Sequence, residues 1–177
     1  MRIPKDNVTI NRAPVLTLWS AVVAERLGFG EQEALSLGRA VAGLNAQAKG
    51  RMLGIFKPGA EKAKAARGRK RGEEFWIDLC GRAVPAKNTA DGVRAVSGDK
   101  VIEPAAARRY LEQKFGEDLS AVIQATRELA KAFRPADLAE RAYSLYEKFR
   151  PQIPPGRKGW GAKGRLDLSL IRSLAGD

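Results

Sequence analysis

Residues 14–27 read PVLTLWSAVVAERL, and the rest of the expected fold builds outward from this stretch. Pro14 suits the first position of a helix, where the missing N–H has no partner to lose. Large apolar side chains then recur at steps of three and four residues, at Val15, Leu18, Trp19, Val22, Val23 and Leu27. This spacing predicts a helix that buries one face.

A second helix is predicted immediately after this one. Gly28-Phe29-Gly30 interrupts the first helix, and apolar positions resume over residues 31–45, at Ala34, Leu37, Val41 and Leu44. Two helices joined by three residues partly fit a helix-turn-helix, in which the first turn of the second helix faces the bases. That turn is Glu31-Gln32-Glu33 here, and carboxylates repel phosphates. We therefore interpret residues 13–45 as a plain αα-hairpin, whose acidic first turn favours the helix dipole.

The second half of the chain mixes short strands with helices. Residues 75–80 are rich in strand formers, and Ser97-Gly98-Asp99 is a turn signal between two β-branched runs, so we expect two or three short strands. In a strand-free alternative, residues 73–80 form a helical turn. Apolar stripes then predict three helices, at 104–115, 118–133 and 135–149, and a last short helix capped by Asp167.

Together these patterns predict a mainly α protein. A single bundle-like helical domain would span residues 1–150, with a small β element near residues 75–102. Residues 57–72 would form a flexible basic loop. Residues 151–177, which begin with a proline spacer, would form a Pro/Gly-rich basic arm that ends in the short helix.

The composition excludes several kinds of site. The 177 residues include no histidine, which removes Ser-His-Asp and Cys-His nucleophile systems and histidine-ligated metals. The one cysteine, Cys80, rules out an internal disulfide and a cysteine-cluster metal site. We expect neither a metal nor another cofactor. No apolar run is long enough for a membrane span or a signal peptide, so we expect a cytoplasmic protein without a membrane partner.

The charge indicates the class of partner. Lys and Arg number 32 against 20 Asp and Glu, a net charge of +12. Half of that excess falls within residues 57–72, which contain seven basic residues and one acidic residue. Clustered cations release counterions from phosphates, or they simply keep a surface loop solvated. On the first interpretation the contacts come from Lys62, Lys64, Arg67, Arg69, Lys70 and Arg71.

A second basic zone lies in the C-terminal arm. The stretch Gly159–Gly164 matches G-x-G-x-x-G but lacks the preceding strand and the later acidic residue of a dinucleotide site. Its glycines leave backbone N–H groups free to form an anion-binding concavity. The zone has four cations, Arg157, Lys158, Lys163 and Arg165. Trp160 would either stack on an unpaired base or anchor the arm to the core.

Catalytic chemistry finds little support in the sequence. Glu112-Gln113-Lys114 resembles the E-x-K element of metal-dependent nucleases, but it falls in a predicted helix. Tyr143 and Tyr146 are expected to pack in the core, and Cys80 to be buried and inert.

We therefore expect a non-enzymatic nucleic-acid-binding protein that contacts phosphates largely independently of sequence, with duplex DNA favoured over RNA. The alternative is an interaction module for an acidic protein. A carboxylate- and metal-dependent nuclease is a more remote alternative.

Overall fold

A computed structural model of the protein describes residues 7–47, 74–98, 100–152 and 163–175. The strands in this part of the chain are β1 (Asn7–Asn11), β2 (Glu74–Leu79), β3 (Arg82–Thr89), β4 (Gly92–Ser97), β5 (Lys100–Val101) and β6 (Lys163–Asp167). The α-helices are α1 (Arg12–Arg26), α2 (Glu31–Gln47), α3 (Pro104–Phe115), α4 (Leu119–Lys131), α5 (Pro135–Phe149) and α6 (Leu168–Ala175). A single 3-10 turn, Gly116–Asp118, joins α3 to α4.

The predicted fold class was wrong, because the described chain is mixed α/β and not a mainly α bundle with a small β element. Strands β2 to β5 form an antiparallel meander, and β1 pairs with β6 in a second antiparallel sheet. The strand at residues 75–80 and the hairpin near residues 93–102 are confirmed, and the strand-free alternative is wrong. Strand β3 escaped prediction because Pro85 lies in its middle, where a proline argues against a central strand.

Helix α1 is the centre of the structure. The amphipathic pattern predicts one buried face, but every residue from Pro14 to Ala24 is buried, because α1 packs against α2, α3, α4 and α5. Trp19 is fully buried and donates its indole N–H to the carbonyl oxygen of Ala142 at 2.8 Å. Its ring meets Phe149 edge-on, with 5.3 Å between the ring centroids. The middle of α1 therefore offers no surface to a partner.

The αα-hairpin depends on a close approach between its helices. A Cβ atom on Gly38 of α2 would lie 2.6 Å from the carbonyl oxygen of Thr17 and 2.8 Å from the backbone nitrogen of Ala21. Both of these atoms belong to the α1 backbone, so neither can rotate away. Glycine weakens an isolated helix, but at this position only glycine lets the two helices meet.

Two side chains of α2 accept backbone hydrogen bonds from β4 of the larger sheet. Strand β5 is only two residues long and leaves backbone N–H groups of β4 exposed to α2. The Glu33 carboxylate accepts the N–H of Val93 at 2.9 Å, and the Ser36 hydroxyl accepts the N–H of Ala95 at 2.8 Å. The side chain of Glu33 is thus turned into the protein, toward β4. This arrangement supports the αα-hairpin interpretation over a DNA-reading helix.

The predicted C-terminal helices are confirmed. Helices α3, α4 and α5 lie within two residues of their predicted bounds. Asp167 caps α6 as expected, since its Oδ1 accepts the N–H of Ser169 at 2.9 Å. Leu168 and Ile171 of α6 are fully buried, so this end of the chain is part of the core.

Candidate nucleic-acid interface

The structure describes two of the predicted contact residues, Lys163 and Arg165. Both lie on β6 and both are exposed. The other predicted contacts lie outside the described residues: Lys62, Lys64, Arg67, Arg69, Lys70, Arg71, Arg157, Lys158 and Trp160.

The two-stranded sheet holds Lys163 and Arg165 on one face. Along β6, exposed residues alternate with Gly164 and Leu166, which are buried. Arg165 lies opposite Thr9 of β1, and Lys163 lies opposite Asn11. The exposed ribbon face therefore comprises Lys163 and Arg165, the half-buried Asp167 at one end, and three neutral polar neighbours on β1, Asn7, Thr9 and Asn11.

Contacts within the sheet fix the orientation of this face. Arg165 donates its Nε–H to Oδ1 of Asn7 at 2.8 Å. Asp167 lies at the end of the ribbon, opposite Asn7, but its Oδ1 already accepts backbone N–H groups of α6. The cations on the ribbon therefore have amide and hydroxyl groups as their nearest cross-strand neighbours.

The segment after α5 runs along the other edge of β6. Gln152 and Arg165 exchange two backbone hydrogen bonds of 3.2 Å each. The backbones come so close that a Cβ atom on Gly164 would lie 2.7 Å from the carbonyl carbon of Gln152. Arg150 and Pro151, which precede Gln152, are thereby held beside the ribbon.

The side chain of Arg12 contacts the chain segment that contains Arg150. Arg12 follows Asn11 directly and donates its Nε–H to the carbonyl oxygen of Pro151 at 3.0 Å. The Tyr146 hydroxyl donates to the carbonyl oxygen of Arg12 at 3.4 Å. Partial burial lowers the pKa of Arg12, and the nearby charge of Arg150 lowers it further. We name the group Arg12, Arg150, Lys163 and Arg165 the cationic corner.

The charges of the cationic corner are not balanced by carboxylates. Within the described residues none of its four members forms an ion pair with Asp or Glu. Ion pairs do occur elsewhere on the helices, at Arg108–Glu31, Arg127–Glu25 and Arg134–Asp137. Other exposed cations on the helices, such as Arg109 and Lys131, also lack an ion pair in the described chain, so the corner is distinguished by its four cations lying together.

Sequence reasoning missed Arg12 and Arg150 as candidates. Arg12 has no charged residue beside it and Arg150 has only Lys148 as a nearby cation, so no dense cluster pointed to them. Only the pairing of β1 with β6 and the turn after Phe149 bring them together.

The candidate nucleophiles are structural. Cys80 is buried at the β2–β3 turn, and burial raises its thiol pKa to about 12, so the thiolate does not form near neutral pH. Tyr146 packs edge-on against Phe149 in the core, and burial raises the pKa of its hydroxyl. The predictions that Cys80 and Tyr146 are core residues are confirmed.

The nuclease-like triplet has no metal-binding surroundings in the described structure. Glu112 and Lys114 are exposed on helix α3, as the sequence predicts. Over residues 7–47, 74–98, 100–152 and 163–175, no three Asp, Glu or Cys side chains come together in a way that could hold a metal ion.

Two other surface features stand apart from the corner. Trp76 on the edge strand β2 is 62% exposed, the most exposed large apolar side chain that the structure describes. A mainly apolar cleft of about 800 Å³ lies between α2, the β4–β5 turn and α3. In it the Arg39 guanidinium lies 4.1 Å from the centroid of the Tyr110 ring.

Comparison of the chain with protein-family models, with curated proteins and with solved structures finds no match. None of the helices in the described part of the chain combines the length and apolar character needed to cross a lipid bilayer.

Proposed function

We propose that this is a non-enzymatic, cytoplasmic nucleic-acid-binding protein that contacts phosphates largely independently of sequence, with duplex DNA favoured over RNA. The observation that carries the proposal is the cationic corner, where four exposed or half-buried cations lie together without a carboxylate partner in the described chain. Such a cluster binds a nucleic-acid backbone favourably, because binding releases the counterions condensed on its phosphates.

The ribbon face also offers neutral polar groups beside its two cations. Lys163 and Arg165 would pair with backbone phosphates, while Asn7, Thr9 and Asn11 could donate hydrogen bonds to phosphate oxygens, as neutral polar side chains often do. These contacts position a protein on the duplex without reading its bases, which fits a sequence-independent mode of binding.

The remaining predicted contacts would extend this interface. Residues 153–162, with Arg157, Lys158 and Trp160, connect Gln152 to β6 in sequence, and the two described residues that flank them, Gln152 and Lys163, lie at the cationic corner. The basic residues 57–72 precede β2 in sequence and would supply a second set of phosphate contacts.

A charge-matched pair of variants tests the proposal. The double variant Lys163→Gln/Arg165→Gln removes two cations from the ribbon face, and Arg109→Gln/Lys131→Gln removes two exposed cations from helices α3 and α4. We expect the ribbon variant to bind duplex DNA at least about tenfold more weakly and to reduce the slope of log K against log salt by about two. The helix variant should bind within about twofold of wild type. Equal losses in the two variants would show that only net charge matters.

One observation favours the second candidate, a protein-interaction module. Trp76 is 62% exposed on β2, an edge strand of the described sheet, and the exposed Glu74 lies two residues before it on the same side. The Glu74 carboxylate disfavours a phosphate chain and an acidic protein alike at this place, so a protein partner here would pack on the apolar ring of Trp76. Absorbance at 260 nm in protein purified without nuclease separates the candidates, because only the nucleic-acid proposal predicts a bound polynucleotide.

A further inference from the structure

We infer that Arg12 and Arg150 together bind a single phosphoryl group, at a site beside the ribbon face. As a contact to a nucleic-acid backbone this site rests on the proposed function, but the same chemistry would hold a free phosphate ion. The inference concerns two residues that no local sequence pattern marks.

The first argument is the anchoring of Arg12. Its Nε–H is occupied by the carbonyl oxygen of Pro151 at 3.0 Å. Arginine carries five N–H donors in a planar fork, and within the described structure the four on the terminal nitrogens have no acceptor. The hydrogen bond to Pro151 thus fixes the guanidinium plane and leaves its outer edge free for two oxygens of one anion.

The second argument is the position of Arg150. It ends α5 as the C-cap residue and immediately precedes Pro151, the residue that holds Arg12. No side-chain hydrogen bond or ion pair of Arg150 exists within the described residues. Both residues are half-buried and the charge of Arg150 acts on Arg12, so the two guanidinium groups lie near each other, and their mutual repulsion is an electrostatic cost that a bound anion would offset.

The third argument is rigidity. Tyr146 is 2% exposed, and its hydroxyl donates to the carbonyl oxygen of Arg12. The backbone bonds between Gln152 and Arg165 hold the other side. Because the Arg12 guanidinium and the backbone around it are already ordered, mainly the Arg150 side chain loses conformational freedom when an anion binds, which favours one small tetrahedral anion over diffuse attraction alone. Lys163, opposite Asn11, brings a further cation to the same corner.

The experiment uses the full chain and variants of Arg150, because its side chain makes no described contact on which folding depends. Arg150→Gln removes the charge, Arg150→Lys keeps the charge without the planar fork, and Arg109→Gln is the control for net charge. In one arm, thermal unfolding is followed with inorganic phosphate or with chloride at equal ionic strength. In the other arm, duplex DNA binding is measured across a salt series.

The site predicts that phosphate raises the Tm of wild type and of Arg109→Gln above the value in chloride. Arg150→Gln should lower the apparent phosphate affinity at least about tenfold, as expected when a charge-assisted hydrogen-bond partner is removed, and Arg150→Lys should restore it only in part. For duplex DNA, Arg150→Gln should reduce the salt slope by about one.

The outcomes separate the inference from the proposed function. Phosphate stabilisation that needs Arg150, without any binding of DNA, would support the site and contradict the nucleic-acid function. DNA binding with a salt slope unchanged in Arg150→Gln, and phosphate stabilisation no greater than that of chloride, would overturn the site and leave the proposed function standing. Full rescue by Arg150→Lys would show that a point charge suffices and would contradict a bidentate site.

Discussion

Replacing Gly164 by alanine tests how the cationic corner is built. Gly164 is buried on β6 between the two exposed cations, and a Cβ atom there would lie 2.7 Å from the carbonyl carbon of Gln152 and 3.1 Å from its backbone nitrogen. Backbone atoms cannot rotate away as a side chain can. The methyl group must therefore push Gln152 off β6, and with it the segment that carries Arg150.

The expected loss of stability follows from what the displacement breaks. Two backbone hydrogen bonds of 3.2 Å join Gln152 to Arg165, and each contributes about 0.5–1.5 kcal/mol. Forcing an extra methyl group into a packed site costs roughly 1–3 kcal/mol more. We expect Gly164→Ala to lower the free energy of unfolding by on the order of 3 kcal/mol. For a protein of this size that corresponds to a fall in Tm of on the order of 10 °C.

Urea denaturation and thermal unfolding, both followed by circular dichroism, measure this loss. Gly43→Ala is the matched control, because nothing lies within 4 Å of a Cβ atom at this exposed position of α2. Alanine should stabilise the helix there by about 0.5–1 kcal/mol. A Gly164→Ala protein within about 0.5 kcal/mol of wild type, the range of an ordinary surface substitution, would refute the described packing of Gln152 on β6.

Three further predictions concern the core. Gly38→Ala should destabilise the protein by about 2–4 kcal/mol in urea denaturation, since its Cβ would meet the Thr17 carbonyl oxygen; a stabilising effect would contradict the close helix contact. Glu33→Ala should cost about 1–3 kcal/mol in thermal unfolding, because it leaves the buried N–H of Val93 without its acceptor, and a neutral result would contradict that role. Native Cys80 should resist a thiol reagent at pH 8 and react on unfolding. Because burial raises its pKa from 9.0 to about 12, the unfolded state loses its proton first, so stability should fall as the pH rises from 9 toward 12.

Much of the helical structure could be predicted because its signals are local. The three- and four-residue periodicity of α1 and the proline at the start of α3 and α5 act within a few turns of one helix. What periodicity could not reveal is that the middle of α1, from Pro14 to Ala24, is buried on all sides, since that depends on which helices surround it. From the sequence alone, Gly38 likewise predicts a less stable helix at that position, and only the structure shows that it allows the close contact with α1.

The fold class was mispredicted because the strands depend on distant partners. Strands β1 and β6 lie at opposite ends of the sequence, are only five residues long and contain several polar residues, so neither has a clear strand signal of its own. Proline in β3 conceals a strand that its neighbours β2 and β4 hold in place. In each case the tertiary pairing overrides a weak local preference.

The candidate interface was predictable only in part, for the same reason. Lys163 and Arg165 belong to a visible cluster of cations and glycines in the sequence. Arg12 and Arg150 become candidates only when the sheet and the turn after α5 place them beside that cluster. A local charge count therefore finds one half of the cationic corner, and the fold supplies the other half.

The most direct test of the account is the binding of the wild-type protein to duplex DNA, measured by fluorescence anisotropy from low to physiological salt, with single-stranded DNA and structured RNA in parallel. We predict micromolar or tighter binding to the duplex at low salt, weaker binding to the other ligands, and an affinity that falls steeply with a linear log–log dependence on salt. Absence of binding to all three ligands at low salt would contradict the central claim, and the search would turn to a protein partner.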